Sequence, residues 1–259
     1  MKIVITQKLS FQNTHKMKKI SCLFWVLLLL SNAVQAQNVK KIKPTKVITT
    51  QVKEPSDIAI HPFKENSFFM VSDNGFVYEI NQNGDIVKES LFRGIDTEAV
   101  FAKDSVVYVI EEFGRKINQL KIDNLEPFQK NTIHFGGGRN KGFESFTYNE
   151  SKKKFVIITE KDPILLFELD EKMTVVNEID LSKIARDISA ATFYNNKIWL
   201  LSDEDRTLFQ LDSLTYKVEN KWLLPIINPE GIAFTKDNQL IVVSDDRMKM
   251  YFFNTSDLN

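Results

Sequence analysis

Acidic side chains recur along this sequence at two fixed places in a repeating pattern. Ser56, Glu98, Glu144, Ser189 and Glu230 each open a short apolar run, and Asp73, Glu112, Glu160, Asp203 and Asp245 follow the next one. All five members of the second column are acidic, and three of the first are glutamate. Glutamates that converge near an axis cannot all ionise cheaply without a counter-charge. A hard cation with oxygen ligands, Ca²⁺ above all, would neutralise them. Glu98, Glu144 and Glu230 are therefore the expected metal ligands. Asp73, Glu112, Glu160, Asp203, Asp245, Ser56 and Ser189 are expected to line the same mouth and meet a ligand. The second column also has a structural reading, because Asp in a tight turn often caps its own backbone. Arg115, Arg206 and Arg247, just past those turns, could pair with the acids and leave no room for a metal.

Other chemistry finds little support. Gly136–Gly137–Gly138–Arg139 resembles a phosphate cradle, yet it joins two strands instead of opening a helix, and no lysine stands where a P-loop needs one. Beyond residue 36 only His61 and His134 remain, the first in a turn and the second in an outer strand. Neither can be placed at the mouth, so no nucleophile–histidine constellation is expected and no catalytic residue is assigned.

The elements that would position the two columns are short strands. Runs such as Gly231–Phe234, Gln239–Ser244 and Met248–Phe253 are β-branched or aromatic and bounded by Asp, Asn or Gly turns. The pattern recurs five times with a period of about 41–46 residues, in the range of four-stranded propeller blades. A fourth strand follows in four units only. The segment Lys46–Val52, ahead of the first complete unit, is the natural donor for the last blade, whose outer edge would otherwise stay unpaired. The expected fold is all-β: a five-bladed propeller of four-stranded antiparallel blades, closed by the N-terminal strand. In a propeller the start of the inner strand and the turn between strands two and three share a face, so both columns meet at one mouth of the channel. The second residue of the inner strand is small in four units (Ala99, Ser145, Ala190, Gly231), as a narrow axis requires. Asp57 breaks that rule.

Residues 1–36 read as a signal peptide, with Lys16, Lys18 and Lys19 before the apolar stretch Ile20–Leu30 and a small-residue ending at Ala36. The alternative is an uncleaved inner-membrane anchor, for which the apolar stretch is short. Met17 also begins a conventional signal by itself. Residues 37–45 are expected as a tether and 46–259 as a single propeller domain. Removing residues 1–36 takes away five lysines and no acids, leaving 29 basic against 34 acidic side chains. That balance argues against a nucleic-acid partner. The one cysteine, Cys22, leaves with the signal, so the mature chain depends on its core. An exported, periplasmic or extracellular monomer is expected, without stable membrane insertion once the signal is cleaved.

The motifs T-E-A-V, G-F-E-S-F-T-Y, D-I-S-A-A-T-F and P-E-G-I-A-F, each followed by an acid-tipped hairpin, resemble the SdiA-regulated or YjiK-like family of exported bacterial β-propellers. The resemblance covers residues 50–253 and implies cation binding without an established reaction. A more distant likeness is to NHL-repeat and gluconolactonase-type propellers, which hold a central metal with Glu, Asn and Asp. Glu98, Glu144 and Glu230 match those in kind; the Asn ligands have no clear counterpart. The expected function is a binding module that presents its acidic mouth to a cation-bridged small ligand or an envelope protein. The alternative is a metal-dependent hydrolase of lactones or esters.

Overall fold

The computed structural model describes residues 39–134 and 142–258. The expected signal peptide and the Gly136–Arg139 loop lie outside them. In each repeat the second strand is an unbroken apolar run, which signals burial on both faces. β4 (Ser67–Ser72) shows why. Phe68 and Met70 pack with the fifth repeat, while Phe69 and Val71 pack with the second. The period of two thus divides one strand between two neighbours.

The remaining elements follow the same plan. β3 (Pro55–Ile60), β4, β5 (Phe76–Asn81) and β6 (Ile86–Glu89) form the first blade; β7 (Thr97–Lys103), β8 (Val106–Glu111), β9 (Lys116–Lys121) and β10 (Pro127–Thr132) form the second. β11 (Phe143–Asn149), β12 (Lys154–Thr159), β13 (Leu165–Leu169) and β14 (Val175–Asp180) build the third. The fourth comprises β15 (Ala190–Tyr194), β16 (Lys197–Ser202), β17 (Thr207–Asp212) and β18 (Val218–Leu223). β19 (Pro229–Phe234), β20 (Gln239–Ser244) and β21 (Lys249–Asn254) make the fifth, completed by β2 (Lys46–Thr49), antiparallel to β21. The N-terminal strand therefore closes the ring, as expected. Five apolar clusters, one between each pair of adjacent blades, form the core.

The stretch expected as a tether is partly built into the ring. β1 (Lys40–Lys41) runs parallel along β18, Ile42 is 3% exposed between the fourth and fifth blades, and Thr45 N donates to the Phe252 carbonyl at 2.7 Å. Its composition concealed this because a parallel edge strand of two lysines has no pattern of its own. Near the axis, a Cβ on Gly231 would lie 2.7 Å from Asp57 Cα, so only glycine allows β19 this close to β3. Asp57 is buried, and its Oδ2 accepts from Val100 N at 2.9 Å. It caps a backbone donor of the next inner strand. Burial nevertheless holds its carboxyl well above the usual carboxylate range, against the opposing N–H groups of Val100, Ile58 and Ile232.

Candidate functional site

The first column is positioned by a β-bulge in four blades. The pairing register slips between Pro55 and Asp57, Thr97 and Ala99, Phe143 and Ser145, and Pro229 and Gly231. Ser56, Glu98, Glu144 and Glu230 are the extra residues. In the fourth blade Ser189 N bonds the Leu201 carbonyl, while Ala190 also pairs with Leu201. A bulge re-aims a side chain that regular alternation would direct elsewhere, and here it sets the column at the rim of the channel. Inner strands begin where second strands end, so the second column stands beside it: Thr97 pairs with Glu111, next to Glu112.

The serines and the glutamates of the first column do different things. Ser56 Oγ donates to the Thr97 carbonyl at 2.8 Å, and Ser189 Oγ to the Pro229 carbonyl at 2.8 Å. Each serine joins its own blade to the first residue of the next inner strand. Ser56 Oγ also lies 2.6 Å from Asp73 Oδ1, which links the two columns. Glu98, Glu144 and Glu230 are partly buried and turned toward other acids.

Two carboxylate groups are especially tight. Asp96, Glu98 and Glu112 can bring one oxygen each within 4.8 Å of the others, and so can Glu112, Glu144 and Glu160. Glu112 is common to both, and its Oε1 also accepts from Gly142 N at 2.9 Å. These acidic groups can hold a metal ion. The tightest sets lie at the junction of the second and third blades, off the symmetric trio Glu98–Glu144–Glu230. Glu230 belongs to neither triad; Asp203, Asp245, Asp73 and Asp187 act on it, and it in turn helps to raise Glu98 and Glu144. Half-buried oxygen donors suit a hard divalent cation and offer nothing to a soft one.

The electrostatics report crowding. Burial first, and then neighbouring acids, holds Glu98 and Glu144 well above the usual carboxylate range. The same causes push Glu230 up to about 8, Glu112 to about 7 and Asp245 to about 6. Asp73 and Asp203 are raised too, chiefly by burial. Among the described residues no carboxylate pairs with Arg206 or Arg247, and the one ion pair on either column joins Lys161 to Glu160.

Two acids of the mouth escaped the sequence reading. Asp96 belongs to one triad, and Asp187 receives Ser202 Oγ at 2.5 Å and Asp203 N at 3.0 Å. Both stand two residues before the first column, with Glu54, Gly142 and Asn228 at the same offset. The carbonyls of Glu54, Asp96, Gly142 and Asn228 accept the N–H groups of Asp73, Glu112, Glu160 and Asp245. That third column was the available signal. The acidic turns themselves close through backbone, as in Arg115 N to Glu112 O and Met248 N to Asp245 O.

His61 is buried, stacks on Phe69 and accepts from Phe63 N and Lys64 N through Nδ1. It holds a turn. His134 lies just past β10. The opposite mouth is different in character: a cavity of about 320 Å³ lined by Ile60, Pro62, Ala102, Phe193, Phe234 and Lys236, among others.

A family model described as SdiA-regulated matches residues 31–256, and the chain belongs to that family. A solved structure, the glutaminyl cyclase of Myxococcus xanthus, superposes with a TM-score of 0.66 at 11% identity. The match covers 82% of this chain and 97% of that one. It shows a shared fold.

Proposed function

We propose that this member of the SdiA-regulated family is an exported binding module whose acidic mouth holds a divalent cation, Ca²⁺, and through it a small ligand or an envelope protein. One observation carries the reading: two carboxylate triads sharing Glu112, in which, among the described residues, Glu160 alone has a basic partner, Lys161. Oxygen donors crowded this closely and raised above the usual carboxylate range gain from a counter-ion in the folded state alone. Among the described residues no helix is long and apolar enough to cross a membrane. That is compatible with export once the leader is removed.

The test is the melting temperature of the purified chain with and without added cation. A ligand bound only by the native form stabilises by about 2.7 kcal/mol at one hundred times its dissociation constant. Millimolar Ca²⁺ should raise the melting temperature of wild type, and Glu98→Gln with Glu144→Gln should abolish the rise. Melting indifferent to Ca²⁺, Mg²⁺ and Zn²⁺, with no metal retained through purification, overturns the proposal.

The same mouth can also be read as a metal-dependent hydrolase of lactones or esters. A cation on one triad would leave carboxylates of the other beside it, where one could accept a proton from water. Ca²⁺-dependent turnover of a lactone or aryl ester, lost in Glu98→Gln, would favour that reading.

A further inference from the structure

The rim of the acidic mouth carries large apolar side chains in the open. Leu91 is 94% exposed, Ile95 64%, Phe113 50% and Ile227 45%. They sit on the connections that reach this face: Leu91 and Ile95 lead into β7, Phe113 turns from β8 to β9, and Ile227 leads into β19. Two adjoin acids of the first triad, Ile95 beside Asp96 and Phe113 beside Glu112.

The segment Ser90–Asp96 is built to present them. Ser90 is fully buried; its N–H donates to the Val77 carbonyl, and its Oγ donates to the Leu125 carbonyl at 2.8 Å while accepting from Phe92 N at 2.9 Å. Gly94 N bonds the Gly75 carbonyl, and a Cβ on Gly75 would fall 2.1 Å from Gly94 O. The one basic residue of the segment lies along the blade. Arg93 bonds the Ser90 and Phe92 carbonyls and Glu89, and its guanidinium lies 4.1 Å from the centre of the Phe76 ring. The segment thus leaves Leu91 and Ile95 in the open beside the acids, while Phe92 packs on the cluster shared by the first and second blades and Arg93 lies along the blade, partly exposed.

We propose that the acidic mouth and this apolar rim form a docking surface for a basic, apolar peptide segment of another protein. A lysine or arginine of the partner enters among Asp96, Glu98 and Glu112, and its apolar neighbours lie on Leu91 and Ile95. The inference deepens the reading of the mouth as a site for positive charge, with a side-chain cation in place of a metal or next to one. Charge selects the occupant. Anionic lipid headgroups are repelled by the acids, and a second copy set face to face would oppose two acidic mouths.

The test is fluorescence anisotropy with three short labelled peptides: alternating Lys and Leu, the same with Glu for Lys, and the same with Ser for Leu. Phosphatidylglycerol vesicles and sedimentation of the protein alone complete the set. Wild type should bind the Lys–Leu peptide at least about tenfold more tightly than either control peptide. Leu91→Ser with Ile95→Ser should lose that advantage while keeping the wild-type melting response to Ca²⁺. Glu98→Gln with Glu144→Gln should lose both. Equal binding of the Lys–Ser peptide, an unchanged affinity in the Leu91/Ile95 variant, or preference for vesicles overturns the docking surface. So does a dimer that dissociates in that variant, since the rim would then serve a second copy. A flat Ca²⁺ response with peptide binding intact removes the metal and leaves the docking surface standing.

Discussion

Glu230 keeps its proton where an ordinary glutamate has lost it, because burial and then Asp203, Asp245, Asp73 and Asp187 push it up to about 8. A carboxyl whose folded value is raised contributes stability that is fully present below its unfolded value, near 4.5, and is lost as pH rises through the folded one. Glu112, raised to about 7, and Asp245, raised to about 6, act in the same direction within the same window. The metal-free melting temperature should therefore fall between about pH 4.5 and pH 8. Glu230→Gln should flatten part of that fall, since an amide has no charge to develop; an equally steep fall in the variant would show that the ring is not its cause. Added Ca²⁺ should flatten it as well, by stabilising the ionised form. Residue types alone made the two columns visible, because recurrence at a fixed place in the repeat is legible without coordinates. They did not show that Ser56 and Ser189 turn to the next blade, or that Asp96 and Asp187 turn inward. The direction of a side chain follows from a bulge or a loop torsion, and sequence periodicity carries neither.

A recurring turn explains how the closing strand finds its place. The loop between third and outer strands bears a buried apolar residue with positive φ in three blades: Leu125 at 58°, Met173 at 60° and Tyr216 at 57°. Each joins the apolar cluster shared with the preceding blade. The first blade carries Gly84 there, with φ 81°, and a Cβ would meet Thr49 O at 2.7 Å and Thr50 Cα at 2.9 Å. Backbone at the end of β2 lies against Gly84, where the other three blades carry a buried side chain, and Gln51 N bonds the Gly84 carbonyl. Gly84→Ala combines a strained torsion with a backbone collision and should cost about 1–3 kcal/mol. Urea unfolding measures it, and a cost below a few tenths of a kcal/mol would mean that β2 is not held there. Strand existence, blade count and the identity of the closing strand were legible because each rests on a period of two or on a missing repeat. The bulges were not, since an extra residue shows only when two strands are paired. β1 was hidden because two edge lysines carry no alternation.

Closure of the ring decides how the whole molecule comes apart. Each blade shares one apolar cluster with the blade before it and one with the blade after, and the two end blades meet through Val52, Ile58, Ala233 and Ile241 among others. No blade can leave without exposing two clusters, so unfolding should be a single cooperative transition seen alike by fluorescence and circular dichroism. The N-terminal segment crosses two blades in turn: β1 and Ile42 on the fourth, then β2 on the fifth. Its two parts should differ in weight. Beginning the chain at Lys43 removes one edge pairing and the burial of Ile42, a loss of about 1.5–3 kcal/mol from the side chain. Ile42→Ala in the intact chain should lose a comparable part of that stability, because the side chain and not the lysine pairing supplies most of it. Beginning at Lys53 also strips β21 of its partner and takes Val52 from the cluster that joins the last blade to the first. That chain should lose the single transition altogether, with an edge left open to pair with other chains. Equal stability of the two truncations would assign the seal to contacts between the fifth and first blades alone, with β2 a passive cover.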